Sequence, residues 1–412
     1  MKINNFGNIE EYFEIHQKIF EITKKIRSKK QGELTNWQMP AEMHLRKSTY
    51  NGRDTLTLTI TLTPIGCEWA RKGGCTMCGE FESTTQKNEL LSDPKFHITQ
   101  FVRGLTNESM LAKVHESGLK ISRLRIYQEG NYTNTNETSK LTQETILRLA
   151  TLVNGVKKIT IESRPQFLTE ESISFLSDIV RKTDVKLEIG MGLEAKNNIV
   201  RNICINKSGT DEQFVNAVSL LKKYDISPLA YVILKPPFLS EQEAITEAIS
   251  TIGFANEIGF ERISLEPMTI HGYTLVDALH KNGLYETPWL WSVVEVLRQC
   301  ANFEVKPGVG GIGYFPVPQE YSQNKCEHCN RNIIDAIVAY NKNKDISALN
   351  NLTCPHCLSK WERLVNATDD VQLLERIKKQ LAIVDDNLDK YEYEKKGTKS
   401  YDGRTLYKYA QY

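Results

Sequence analysis

The sequence of 412 residues predicts an α/β protein, in which a partial barrel of six βα units is followed by a small four-cysteine metal module. Short runs rich in β-branched residues alternate with amphipathic runs of helical length, which is typical of a parallel sheet with crossover helices. The chain is long enough for a barrel of roughly 200–300 residues and a smaller module. Seven of the nine cysteines fall into two groups, one early and one late.

The first element is a predicted amphipathic helix over residues 8–30, where isoleucines and aromatic residues recur at helical spacing. It ends in a basic cluster that we interpret as a solvated face, with an RNA contact as the alternative. The members of this cluster are Lys24, Lys25, Arg27, Lys29 and Lys30.

Six strands are then predicted, beginning with the alternating run TLTLTITLT. They cover residues 55–63, 122–128, 157–163, 185–192, 228–235 and 261–267. Helices are predicted over residues 141–153, 169–182, 211–224, 240–258 and, near the end, 369–385. Because the chemistry of βα barrels takes place in the loops that follow the strands, we expect the functional residues there.

Composition narrows the class of protein. Hydrophobic residues make up 40% of the chain and charged residues 25%, as in soluble globular proteins. A net charge of +1 gives no overall attraction to nucleic acid or acidic membranes. No apolar run approaches the roughly 20 residues of a membrane span, and the first residues lack an apolar signal core. Nine cysteines in this setting indicate metal sites in a reducing cytoplasm.

The early cysteine group is Cys67, Cys75 and Cys78, directly after the first predicted strand. Four cysteines complete the ligation of a four-iron cluster, whereas three leave one iron open for a chelating molecule. We therefore predict a [4Fe–4S] cluster of the kind that cleaves S-adenosylmethionine (SAM) reductively. A zinc site without its fourth ligand and three unrelated thiols are the alternatives.

The loop GCEWARKGGCTMCG resembles the cluster loop of radical-SAM enzymes. Four further segments are similar to the radical-SAM subunit of archaeosine synthase, in the group that includes the Elongator catalytic subunit. They are IESRPQFLTEE (161–171), GLEAKNNIVRNICINKSGT (192–210), YVILKPPFLSEQEAI (231–245) and TPWLWSVVEVL (287–297). The resemblance covers most of residues 55–361 and implies a radical-SAM partial barrel. The seven residues between Cys67 and Cys75 depart from the common CxxxCxxC pattern but resemble this subfamily.

The resemblance also implies SAM contacts at the strand ends. In relatives, the backbone of a glycine-rich segment accepts hydrogen bonds from the SAM amino group, and the corresponding residues here are Glu129, Gly130 and Asn131. The segment Gln-Glu-Gly-Asn at 128–131 departs from the Ser-Gly-Ser of these relatives. Glu162 resembles the ribose-binding acid, with a surface salt bridge as the alternative, and Glu194 resembles another ribose or methionine contact.

Candidate basic contacts follow. Arg201 or Lys207 is expected to pair with the SAM carboxylate, and their spacing does not choose between them. Lys235 stands before Pro236 at a strand end and is a candidate substrate or SAM contact, and Glu266 is placed in the same way.

The late group consists of two pairs, Cys326-x-x-Cys329 and Cys354-x-x-Cys357. Such pairs predict a tetrahedral four-thiolate site. Zinc is the simplest occupant, and an auxiliary iron–sulfur cluster is the alternative. His328 and His356 lie inside the pairs and are not expected to be ligands.

The predicted division is a helical extension (1–50), the radical-SAM barrel (51–305), an extension with the four-cysteine site (306–365), and a helix with a Tyr/Lys-rich tail (366–412). By resemblance, the 5′-deoxyadenosyl radical from SAM abstracts a substrate hydrogen. The expected substrate is a lysine-bearing 7-cyano-7-deazaguanine adduct in tRNA, whose C–N bond is cleaved in a lyase reaction that leaves the formamidine of archaeosine.

The resemblance implies a partner synthase that makes the adduct, and we expect an electron donor of flavodoxin or ferredoxin type. The first alternative is a radical-SAM relative that acts on a small molecule or peptide in a biosynthetic pathway. The second is a non-catalytic zinc-binding or RNA-binding protein with a degenerate barrel, against which the intact cysteine triplet argues.

Overall fold

The computed structural model describes residues 9–30, 38–63, 66–79, 93–128, 130–311, 320, 322–324, 326, 328–367 and 371–390. Its strands are β1 (Glu42–Tyr50), β2 (Arg53–Leu62), β3 (Ile121–Gln128), β4 (Lys158–Glu162), β5 (Lys186–Glu194), β6 (Ser227–Leu234), β7 (Arg262–Pro267) and β8 (Gly308–Val309). They form one sheet in the order β1 to β8, curled into a half-barrel. All neighbouring pairs from β2 to β8 are parallel, so the predicted partial barrel is confirmed.

Helices precede the sheet, connect its parallel strands and follow it. They are α1 (Ile9–Ser28), α2 (Glu68–Arg71), α3 (Pro94–Leu105), α4 (Glu108–Ser117), α5 (Lys140–Thr151), α6 (Glu170–Val180), α7 (Asp211–Lys223), α8 (Glu241–Ile258), α9 (Leu275–Lys281), α10 (Leu290–Gln299), α11 (Asn330–Asn343), α12 (Leu358–Val365) and α13 (Leu373–Asn387). Three of the crossover helices begin with a capping box, at Thr169, Thr210 and Ser240, which satisfies backbone donors of the first turn.

The edge strand β1 was not among the predicted strands. It pairs antiparallel with β2 through a two-residue turn at Asn51 and Gly52, whose φ angles of 49° and 74° are both positive. Asn-Gly favours such turns, so the signal was present in the sequence. The short strand β8 lies within the segment 306–319 that we predicted as loop, of which residues 312–319 are outside the described residues.

The inner face of the half-barrel is polar. On β3, Leu124 and Ile126 are buried on one face, and the alternating residues Arg123, Arg125 and Tyr127 occupy the other. The polar neighbours of these residues on the adjacent strands are Thr160, Glu162, Glu188, Tyr231 and Arg262. The barrel therefore encloses a polar lumen beneath the strand ends where we expect the chemistry.

The N-terminal helix packs against the last described helix. Ile15, Ile19, Ile22 and Ile26 of α1 are buried, as the amphipathic pattern predicts. Lys18 pairs with Asp385 of α13, and Lys378 of α13 pairs with Glu11. The two helices form one layer that continues to α9 and to the segment after β5.

We expect Glu188→Gln to destabilise the barrel. The fully buried Glu188 carboxylate accepts hydrogen bonds from Arg262 Nε (2.9 Å) and Thr160 Oγ1 (2.8 Å), and Lys158 lies 3.4 Å away. Breaking a buried ion pair leaves uncompensated charge, so unfolding should become easier by roughly 3 kcal/mol, measured by urea denaturation.

The same carboxylate gives a pH dependence. Burial would raise the pKa of Glu188, but Arg262 and the nearby cations outweigh burial and hold that pKa well below its usual range. This contribution is present above the pKa of an unfolded glutamate and is lost as pH falls toward the lower pKa of the folded state. The control Glu171→Gln removes an exposed partner of Lys140 and should change little. Equal stability losses in the two variants would contradict the prediction.

No helix of the described ranges is both long enough and apolar enough to cross a membrane.

Candidate functional site

The early cysteine loop follows β2 at the carboxyl end of the sheet. Cys67 immediately precedes the short helix α2, and Cys75 and Cys78 follow it. All three thiols are partly accessible and none forms a disulfide. The loop therefore presents three free thiols at the edge of the barrel where parallel strands end.

A segment after β5 fixes the position of this loop. Thr76 follows Cys75 in the loop and is fully buried. It donates its N–H to Ile205 O (2.9 Å) and its hydroxyl to Cys204 O (2.7 Å). Asn206 Nδ2 donates to Gly74 O (2.7 Å), and Trp69 Nε1 donates to Asn206 O (2.7 Å). These reciprocal bonds make the loop a rigid platform, because they satisfy backbone groups that a loop would otherwise leave to solvent.

Arg27 of α1 reaches into the cysteine loop. Its Nη2 donates to Cys75 O (2.7 Å) and Cys78 O (3.4 Å), and Nη1 donates to Ala70 O (3.3 Å). Burial lowers the pKa of Arg27, whereas the thiols of Cys78, Cys75 and Cys67 oppose this shift. One guanidinium is thus within electrostatic range of all three thiols. The interpretation of Arg27 as part of a solvated face is wrong, since its exposed fraction is only 5%.

Gly74 permits this contact. Its φ of 68° lies in the left-handed region, and a Cβ added there would approach Arg27 Nη1 to 2.3 Å. The glycine is required both for the turn and for the entry of Arg27.

We expect Arg27→Gln to weaken cofactor retention. Arg27 donates charge-assisted hydrogen bonds to the cysteine loop, and losing them should destabilise the folded conformation of that loop by roughly 2 kcal/mol. The anaerobically reconstituted variant should therefore release iron to a chelator about thirtyfold faster than wild type. The matched control is Lys24→Gln, which removes the same charge from an exposed position of α1. Identical release rates for wild type and Arg27→Gln would contradict the role of Arg27.

The donor set fits an open cubane cluster better than a single zinc ion. Within the described ranges, the close grouping of a one-ion site is found for the four late cysteines and not for Cys67, Cys75 and Cys78. Sulfurs that hold separate irons of a cluster lie farther apart than four sulfurs on one ion. A nearby buried cation also suits three thiolates.

The loop after β3 contains, beyond the predicted SAM segment, a buried carboxylate that the sequence did not reveal. Glu137, 3% exposed, accepts from Glu68 N (2.9 Å), from both Asn131 nitrogens and from Asn134 Nδ2 (3.0 Å). It joins the start of α2 to the loop after β3. Glutamate within a polar run such as NYTNTNET gives no signal of burial, so only the tertiary structure identifies it.

Gly130 lies against Glu137 and Cys67, and Asn131 is hydrogen-bonded to Glu137 and Arg164. A Cβ at Gly130 would approach Glu137 Oε2 to 2.3 Å and the Cys67 Cα to 3.5 Å, so only glycine lets this loop lie against the cysteine loop. Asn131 Oδ1 accepts from Arg164 N (2.9 Å), so both ends of its amide are engaged. Glu129 lies outside the described residues.

Two predicted acids lie at neighbouring strand ends. Burial raises the pKa of Glu162, although a hydrogen bond from Tyr231 and the charge of Lys207 act to lower this pKa. Glu194, 5% exposed, binds Lys207 Nζ at 2.8 Å. Burial would lower the pKa of Lys207, but Glu194 and the Cys75 thiol outweigh it and hold that pKa above its usual range. Glu162, Glu194 and Lys207 thus converge beside the cysteine loop.

Arg201 has other partners. It is fully buried, and its Nε donates to Ala195 O (2.7 Å) while Nη2 donates to Lys196 O (3.2 Å) and Asp211 Oδ1 (2.8 Å). Of the two basic candidates for the SAM carboxylate, Lys207 is thus the one beside the thiols. Arg201 braces the turn between β5 and α7.

Lys235 lies at the end of β6. Its Nζ is 2.7 Å from Glu241 Oε2, and Tyr285 Oη donates to its carbonyl at 2.7 Å. The pair is largely buried, with side-chain exposures of 10% and 1%. On β7, Glu266 accepts from Ser264 Oγ (2.6 Å). Lys235 is therefore already neutralised, and a ligand would have to compete with Glu241.

The late cysteines form a compact metal site. The sulfurs of Cys326, Cys329, Cys354 and Cys357 all lie within 4.8 Å of one another. Two of the sulfur pairs are 3.7 Å and 3.4 Å apart, and Trp291 Nε1 donates to Cys357 Sγ (3.2 Å). Trp291 belongs to α10, which lies between β7 and β8 in the chain, so this hydrogen bond attaches the four-cysteine site to the barrel. The predicted four-thiolate site is confirmed as a metal-binding arrangement.

Comparisons with known proteins agree with this architecture, although no protein-family model matches the chain. Archaeosine synthase subunit beta of Thermococcus kodakarensis is 30% identical over 335 residues, which are 78% of this chain and 96% of that protein. The subunit beta of Methanosarcina acetivorans is 28% identical over 332 residues, 80% of this chain and 91% of that protein. An uncharacterized protein of Methanocaldococcus jannaschii is 30% identical over 313 residues, 75% and 82% of the two chains.

Among solved structures, N-terminally truncated Elp3 of Methanocaldococcus infernus superposes with a TM-score of 0.45 at 13% identity over 58% of each chain. Methylornithine synthase gives 0.40 at 9% identity over 81% of this chain and 89% of that one. With the half-barrel and the three-cysteine loop, the sequence similarity to subunit beta identifies this chain as a radical-SAM enzyme of the archaeosine synthase subunit beta family.

Proposed function

We propose that this chain is the radical-SAM subunit of an archaeosine synthase and that it cleaves a C–N bond of a lysine-bearing 7-deazaguanine adduct in tRNA. The observation that carries the proposal is the three-thiol loop, held at the strand ends in a chain that spans 96% of a subunit beta relative. A partner subunit that makes the adduct, and tRNA as its carrier, belong to the same proposal.

Cys67, Cys75 and Cys78 would hold the cluster, with Arg27 compensating their negative charge. When bound, a [4Fe–4S] cluster with SAM supplies a 5′-deoxyadenosyl radical that removes a hydrogen atom from an unactivated carbon. Glu137 and Gly130 set the distance between the cysteine loop and the loop after β3. The reductant would be a flavodoxin or ferredoxin.

The SAM-binding residues that we propose surround the same edge. The backbone of residues 129–131 would accept from the amino group of SAM. Lys207 would bind its carboxylate, and Glu162 and Glu194 would accept from its hydroxyls. Glu194 already pairs with Lys207, so SAM binding would redistribute this ion pair rather than create new buried charge. Arg201 and Lys235 would position these groups through their own partners.

At the late cysteines we propose a single zinc ion. A tetrahedron with metal–sulfur distances of about 2.3 Å has sulfur–sulfur edges of about 3.8 Å, close to the observed pair distances. Anaerobic metal analysis tests this assignment. We expect about four irons and one zinc per chain, whereas about eight irons would favour an auxiliary cluster.

The reaction is tested anaerobically with reductant and SAM under three conditions, which are adduct-bearing tRNA, unmodified tRNA and no tRNA. We expect 5′-deoxyadenosine to accumulate with adduct-bearing tRNA, together with formamidine-bearing base in the product. Unmodified tRNA and no tRNA are the controls. Production of 5′-deoxyadenosine that does not depend on the adduct would contradict the proposal and favour a small-molecule or peptide substrate.

A further inference from the structure

The floor of the half-barrel lumen carries more positive than negative charge. Arg123 of β3, Lys158 of β4 and Arg262 of β7 surround a single buried carboxylate, Glu188 of β5. In the described part of the chain, Glu188 is bound to Arg262 and to Lys158 and is the one acid that contacts these cations. One carboxylate does not compensate the surrounding cations.

Two groups at this floor have pKa values that burial lowers first and the charge of Arg262 lowers further. Burial and the charge of Arg262 lower the pKa of Arg123 to about 10, in spite of the opposing charge of Glu188. Burial and the same arginine lower the pKa of Lys344, next to β8, to about 8. The repulsion that Arg262 exerts on these two cations would be relieved by an anion bound nearby.

Arg125 lies between this floor and the strand ends. It occupies the inner face of β3, with Thr59 of β2 and Thr160 of β4 as its strand partners. Its Nε is a buried donor without a hydrogen-bond partner among the residues that the structure describes. Glu162, at the end of β4, is hydrogen-bonded by Tyr231, and the charge of Arg125 acts on it without a hydrogen bond from Arg125 Nε. A bound ligand would supply the acceptor that this buried nitrogen lacks.

We propose that Arg125, supported by Arg123, binds a carboxylate at the inner end of the substrate. A guanidinium matches a carboxylate with two parallel hydrogen bonds, and a partly enclosed lumen strengthens such a pair. This inference rests on the proposed function for the identity of its ligand, which would be the amino-acid end of the lysine portion of the adduct.

Depth in the barrel agrees with this assignment. Arg125 lies two residues below Tyr127 on β3, which corresponds to about 7 Å along the strand. The thiols, Lys207 and Glu194 lie at the strand ends, where SAM is expected. An extended lysine side chain is of comparable length. With its carboxylate bound to Arg125, the carbon next to the deazaguanine portion would lie at the strand ends, where SAM is expected.

The test compares two ligands and two proteins. The ligands are tRNA bearing the lysine adduct and tRNA bearing the cadaverine adduct, which has the same chain without the carboxylate. The proteins are cluster-loaded wild type and Arg125→Gln, with Arg125→Lys as a second variant in case glutamine disturbs folding. Equilibrium binding is measured anaerobically, so the readout does not require turnover. Arg148→Gln, on the surface of α5, controls for general loss of positive charge.

We expect wild type to bind the lysine adduct about tenfold more tightly than the cadaverine adduct. The ratio should approach one in Arg125→Gln and should be intermediate in Arg125→Lys. A ratio near one in wild type would overturn the inference even if the reaction proceeds. A wild-type preference that depends on Arg125, without C–N cleavage, would support the subsite and overturn the proposed reaction.

SAM is the other source of a carboxylate, and the affinity for SAM is therefore measured in the same proteins. A tenfold loss of SAM affinity in Arg125→Gln, with an unchanged preference between the two adducts, would assign Arg125 to SAM and overturn the inference.

Discussion

The Cys75→Ala variant is expected to lose cluster iron and to lower reductive SAM cleavage by at least about a thousandfold, because every later step depends on the cluster. The carbonyls of Cys75 and Cys78 both accept from Arg27, and the thiol of Cys75 also influences the pKa of Lys207. Two cysteines would leave two irons without protein ligands, so the cluster should not persist through purification.

The measurements are iron and sulfide content, the visible absorption of the reconstituted protein, and 5′-deoxyadenosine formation under reductant. Cys300→Ala is the matched control, since Cys300 is buried at the end of α10 and far along the chain from the loop. Full iron content and full SAM cleavage in Cys75→Ala would exclude the three-thiol cluster.

The second large effect is expected for Cys357→Ser. Cys357 is fully buried, accepts from Trp291 Nε1 and lies 3.4 Å from Cys329 Sγ. Loss of a structural metal removes binding energy that is part of the folding energy, so stability should fall by about 4 kcal/mol. The metal should be lost together with the order of the segment around α11 and α12.

Thermal unfolding and zinc content measure this effect, and a strong chelator should lower the unfolding temperature of wild type toward that of the variant. The control is His356→Gln, inside the same pair. His356 stacks on His328 at a ring-centroid distance of 4.5 Å and is not one of the four clustered ligands. Stable metal binding by Cys357→Ser would show that the four thiolates are not the ligand set.

Much of this fold was predictable because its signals are local. The strands β2 to β7 begin and end within about two residues of the predicted ranges, since β-branched alternation is a property of short segments. The pairs Cys326–Cys329 and Cys354–Cys357 are also local signals, and they meet as expected. The Asn51–Gly52 turn carried a comparable signal for β1.

The surroundings of the candidate site were not predictable in the same way. Arg27 is separated from Cys75 by a strand hairpin, and a basic cluster at the end of a helix ordinarily faces solvent. Glu137 contacts Glu68 across 69 positions of the chain. Spacing also could not choose between Arg201 and Lys207, because their difference lies in the partners that the fold supplies.

The packing of α1 on α13 has a consequence for truncated forms of the chain. Arg27, which contacts the cysteine loop, comes from the first described helix, and that helix is held by ion pairs to residues beyond position 370. Deleting α13 would remove the partners of Lys18 and Glu11 on α1. A shortened chain should therefore hold Arg27 less firmly against the Cys75 and Cys78 carbonyls, although the deletion lies almost 300 positions away from them.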